Sequence, residues 1–169
     1  LEKELMALSA EFAGSAAFDE ISRSSPASFR DFRRPAQFHV GAITAWASPD
    51  LIWQDGGGKM KILKIHAGPP EENSGWEMQM SACALFAAES FKVPEERIEP
   101  CNLFLQAGDA TRIMGGMKDL DEIRGLILDD ASHMLEAERD PVPDKFRATE
   151  DKGKCASCEF AGACIAAAH

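Results

Sequence analysis

Positive charge is scarce in this chain. Eighteen lysines and arginines stand against 28 aspartates and glutamates over 169 residues, a net charge of −10. That balance opposes the counterion release that drives most nucleic-acid binding, so any DNA or RNA contact needs a local basic stripe. Long apolar runs are missing too: no uncharged apolar stretch approaches the roughly 18 residues of a membrane helix. The sequence shows no internal repeat, low-complexity tract or signal peptide. What it does have is 45% apolar residues, too many for a compositionally disordered chain, and a length that suits one soluble domain with a real core.

Cysteines are few, five in all, but three of them crowd the C-terminal end as Cys155, Cys158 and Cys164. An odd count, the absence of a leader and a Cys-x-x-Cys pair point to a reducing compartment, the cytoplasm, where clustered thiols bind metal more often than they cross-link. The chain opens on Leu1, and the expectation is a piece of a longer polypeptide.

The spacing of Leu1, Leu5, Leu8 and Phe12 predicts an amphipathic helix to about Ile21, with a break at Gly14-Ser15. Residues Ser22 to Pro35, rich in Ser, Pro and Arg, read as a loop carrying Arg30, Arg33 and Arg34. Strands are expected at Phe38 to Trp46, Leu51 to Trp53 and Met60 to Ile65, the last two joined as a hairpin by Asp55-Gly56-Gly57-Gly58. On the third strand, Met60, Ile62, Lys64 and His66 share one face while Leu63 and Ile65 take the other. Gly75 to Phe91 is apolar nearly all round and reads as a buried helix, with Gln79 and Cys83 four apart on one side. Strands at Ile98 to Gln106 and Thr111 to Met114 follow. A helix from Leu120 to about Glu138 comes next, capped by Asp119 with Glu122 at the third position and striped by Leu120, Ile123, Ile127 and Met134. This order predicts an α/β fold, a mixed sheet flanked by helices.

Five segments in order then resemble the PD-(D/E)XK nuclease superfamily, in its RecB-like and AddB-like iron–sulfur branch. Pro49-Asp50-Leu51 enters a strand where that family places its first metal-binding aspartate. ILKIHAG aligns with the acid-x-Lys strand. QMSACALFAAE resembles the Gln-x-x-x-Tyr helix, and VPEERIEPCNLFLQAG matches the strand after it. CASCEFAGAC is close to the terminal Cys-x-x-Cys-x5-Cys. The resemblance implies a restriction-endonuclease-like core over residues 1–143 and a C-terminal cysteine loop over 144–169 packed on it. It also implies an active site at the positions of Asp50, Lys64, His66 and Gln79.

The departures from the pattern fall on the chemistry. Lys64 stands where the family has its acid, His66 where it has its lysine, and Cys83 where it has its tyrosine. Carboxylate oxygens hold Mg²⁺ or Mn²⁺ in such enzymes. Two unit charges ~4 Å apart interact by about 4 kcal/mol at an effective dielectric near 20, so a lysine here replaces attraction by repulsion and the magnesium site is expected to be lost. A relocated acid from Glu71, Glu72 or Glu77, with His66 as base, is the alternative. On the residues alone, Asp50 can instead cap a backbone amide, His66 can end a strand in a hydrogen bond, and Gln79 and Cys83 can line a cleft or the core.

Cys155, Cys158 and Cys164 supply three thiolates, and a four-coordinate centre needs one more ligand. By the resemblance the centre is a [4Fe-4S] cluster; zinc, or no metal, is the alternative. The fourth ligand is Cys83, Cys101, His169 or a residue outside this chain. Function is expected to be that of a catalytically impaired nuclease-like domain that binds DNA or docks a partner within a repair, recombination or defence assembly. Lys59, Lys61 and Lys64 are its candidate nucleic-acid contacts. An active metal-dependent DNA exonuclease and a metal-binding interaction module with no nucleic-acid role are the alternatives.

Overall fold

The computed structural model describes residues 2–32, 35–70, 75–106, 109–139 and Gly153. Within residues 109–114 it fixes the side chains of Ala110 and Ile113 alone. The chain divides into two compact units, Leu1–Leu128 and Asp129–His169. Cys155, Cys158, Cys164 and His169 lie outside the described residues, as do Arg33, Arg34, Glu71 and Glu72.

The first unit opens with α1 (Glu2–Ala13) and α2 (Ala16–Arg23). The predicted break falls at Gly14-Ser15, where the Ser15 hydroxyl caps α2 by accepting from the Phe18 amide at 3.2 Å. An antiparallel pair follows, β1 (Ala36–Val40) and β2 (Ile43–Ala47). The sequence suggested one strand over Phe38 to Trp46; the chain instead reverses at Gly41-Ala42. Gly41 has φ +58° and occupies the first central position, which a type II′ hairpin turn reserves for glycine.

Strands β3 (Leu51–Gln54), β4 (Met60–Ala67), β5 (Ile98–Gln106) and β6 (Asp109–Met114) form a second, four-stranded sheet in that order. It is a mixed sheet: β3 and β6 run antiparallel to their neighbours, and β4 and β5 run parallel. Asp55 builds the β3–β4 turn, its Oδ1 accepting from the amides of Gly57 at 2.9 Å and Lys59 at 2.8 Å. A parallel pair needs a crossover, which α3 (Trp76–Phe91) supplies.

Side-chain alternation divides the core between the two faces of this sheet. On one face Met60 and Ile62 pack with Met80, Ala84, Leu85 and Ala87 of α3, together with Phe38 and Val40 of β1. On the other, Trp53, Leu63, Cys101, Leu103 and Leu105 are covered by Ala17 and by the partly buried Leu8, Phe12 and Ile21 of the N-terminal helices. Helix α4 (Leu120–Arg139) starts where predicted, the Asp119 carboxylate accepting from the amides of Asp121 and Glu122. Its apolar stripe is buried at Leu120 and Ile123 and half-buried at Ile127, but Met134 is 73% exposed. No helix among the described residues is long and apolar enough to cross a membrane.

Candidate functional site

The α3 face of β4 carries the predicted site residues, because period-two alternation continues the row Met60, Ile62 into Lys64 and His66. Asp50 sits just before β3. Its amide donates to the Leu63 carbonyl at 2.9 Å, and its Oδ2 accepts from the Ile65 amide at 2.7 Å. Asp50 therefore caps the backbone of β4, as its residue type allows. The Lys64 ammonium lies 3.4 Å from the same Oδ2, with the two side chains only 18% and 33% exposed. An internal cation is thus paired with the carboxylate that the resemblance would give to a metal.

This donor set does not fit Mg²⁺ or Mn²⁺. Such ions want several oxygen ligands, whereas the one carboxylate here is already engaged by a backbone N–H and an ammonium. Among the described residues no three His, Cys, Asp or Glu side chains converge as a metal would require. Glu77, the described candidate for a relocated acid, is exposed in the first turn of α3.

Cys83 comes down from α3 toward this ion pair. Burial pushes its thiol up to about 11, and the Asp50 charge adds to that; a hydrogen bond with the Ser48 backbone and the Lys64 charge act in the opposite sense. At neutral pH the thiol therefore stays protonated, which makes it a poor nucleophile. Gln79, one turn earlier on α3, is exposed. Cys101 is buried on the other face of the sheet, so Cys83 and Cys101, both proposed as a fourth ligand, belong to separate environments.

His66 ends the row in a small polar and aromatic cluster. Its Nε2 is 3.0 Å from Oδ1 of Asn102, its ring stacks on Phe104 with centroids 4.5 Å apart, and Trp76 meets Phe104 edge-on at 5.6 Å. The sequence analysis did not single out Asn102. Its signal was there: one amide inside the otherwise apolar run Cys101 to Leu105, which a buried strand tolerates only when the amide is hydrogen-bonded.

The remaining predicted basic contacts part company with Lys64. Lys61 leaves β4 on the opposite face, where its ammonium lies 2.7 Å from Glu99 and 2.9 Å from Glu20; Lys59 lies 3.0 Å from Glu99. Burial alone would lower the Lys61 pKa, but its bonds to Glu20 and Glu99 outweigh that and raise it. The Lys61 hydrogen bond holds the Glu99 carboxyl below its ordinary range, against the upward pull of burial. Lys59, Lys61 and Lys64 therefore form no common basic surface. Arg30 bonds the Gln54 side chain at 2.7 Å. On the Lys61 face a pocket of about 700 Å³, lined by Asp19, Glu20, Arg23, Ser24 and Gln54, has Trp53 in its wall. The Trp53 indole N–H is buried and has no acceptor among the described residues.

No family model matches the chain, and no curated protein matches it. A solved structure of a protein called SSO0001 aligns with 82% of this chain at 15% identity and a TM-score of 0.44; the chain spans 58% of that protein.

Proposed function

We propose that this chain is a nuclease-like domain whose hydrolytic site has become a closed ion pair, and that it serves as a docking scaffold for a partner protein in a DNA repair, recombination or defence assembly. The observation that carries this reading is the Lys64 ammonium 3.4 Å from Asp50, where the resemblance places a divalent cation. Partner docking is favoured over DNA contact because Lys59 and Lys61 are neutralised by Glu99 and Glu20 in a chain of net charge −10.

Calorimetric titration of the purified protein with Mn²⁺ tests the site, followed by divalent-dependent cleavage of single- and double-stranded DNA. No Mn²⁺ heat and no cleavage are expected, and Lys64→Glu, which restores a carboxylate beside Asp50, should gain Mn²⁺ binding. Robust cleavage by the wild type that Asp50→Ala abolishes would overturn the proposal in favour of an active nuclease. For the loop of Cys155, Cys158 and Cys164 we propose a structural [4Fe-4S] or zinc centre. The visible spectrum and metal content of anaerobically purified protein decide between the two.

A further inference from the structure

We propose that Asn102 locks His66 into one tautomer and makes it a fixed hydrogen-bond acceptor at the carboxyl end of β4, whether or not the domain is nuclease-like. Asn102 is fully buried, so its amide must find its partners inside the protein. The Gly115 carbonyl can only accept, and it lies 3.4 Å from Nδ2 of Asn102. That contact turns the amide so that Oδ1 faces Nε2 of His66 at 3.0 Å. An amide oxygen has no proton to give, so Nε2 must carry one. In the neutral imidazole Nδ1 is then bare.

The ring has little freedom to escape this arrangement. It lies within 13° of parallel to Phe104, and Phe104 is buttressed edge-on by Trp76. Trp76 in turn packs so tightly on Gly116 that a Cβ there would collide with the indole. Gly116 also has φ +72°, so its conformation and its lack of a side chain both support the stack. His66 is half-buried, and its Nδ1 has no hydrogen-bond partner among the described residues. A group bringing an N–H or O–H to this end of the strand meets a ready acceptor; one bringing a bare carbonyl or carboxylate does not. Asn102 acts through His66 and is a positioning residue.

The test is a long-range ¹⁵N–¹H correlation spectrum of the intact protein at about pH 8, above the ordinary imidazole range. The His66 signals should show a protonated Nε2 and an unprotonated Nδ1. An Nδ1–H tautomer, or an even mixture, overturns the proposal. Asn102→Leu, close in volume but without the acceptor, should lose the preference, and Asn102→Asp, which keeps an oxygen in place, should retain it. A wild-type preference surviving in Asn102→Leu would show that Asn102 is not the positioning residue. If the leucine variant does not fold, the wild-type and aspartate spectra still decide.

Discussion

On the α3 face of β4, Met60 and Ile62 run through the core and the row continues with Lys64 beside Asp50; on the other face Leu63 packs under the N-terminal helices and Lys61 is held between Glu20 and Glu99. One strand thus carries two lysines whose surroundings differ because they project from opposite sides. The covers differ as well. Seven residues of α3 are buried, whereas α1 has none and α2 only Ala17. The α3 face depends on close packing, while the N-terminal face relies on partial burial reinforced by charge. A basic residue in the sequence is therefore a candidate ligand contact only once its face, and the acids on that face, are known.

Core truncation should separate the faces most strongly. Leu85→Ala, at a fully buried position on α3, is expected to destabilise by about 3 kcal/mol. Leu8→Ala, half-buried on α1, should lose only about 1 kcal/mol. Urea titration of both measures the contrast, and equal losses would show that the two covers pack alike. Next in size is Lys61→Met, which leaves Glu20 and Glu99 without their shared cation. A loss of about 2 kcal/mol at neutral pH is expected, between the values for exposed and fully buried pairs.

The smallest effect belongs to Glu99→Gln, about 1 kcal/mol near neutral pH. Because folding lowers the Glu99 pKa, the folded state holds the proton more weakly than the unfolded chain. The stabilisation is complete above the unfolded value of about 4.3 and disappears as pH falls through the lower folded value. Wild type and Glu99→Gln should therefore converge on acidification; a gap that persists to low pH would mean that the charge contributes nothing.

Much of this architecture was legible from periodicity. The Gly14-Ser15 break, the Asp55 hairpin, the all-round apolar α3 and the Asp119 cap each rest on short-range chemistry that a single segment carries. The reversal at Gly41-Ala42 was not legible, because apolar residues continue on both sides and only one glycine marks the turn. For the site, alternation along β4 put Lys64 and His66 on one face. Nothing local to Lys61 foretold Glu20 and Glu99, which reach it from a helix and from another strand. Asn102 lay between the two cases: its oddity is visible in the sequence, but its partners, His66 and Gly115, are set by the sheet.

The placement of the tryptophans makes the molecule its own optical reporter. Trp53 is 1% exposed under the N-terminal helices, Trp46 is 59% exposed on β2, and Trp76 is half-buried beside the His66 stack. A collisional quencher such as iodide should reach Trp46 in the native protein, Trp76 only in part, and Trp53 only after α1 and α2 lift. Following quenching along an unfolding curve would then reveal whether the N-terminal cover opens as a separate cooperative unit before the α3 side lets go.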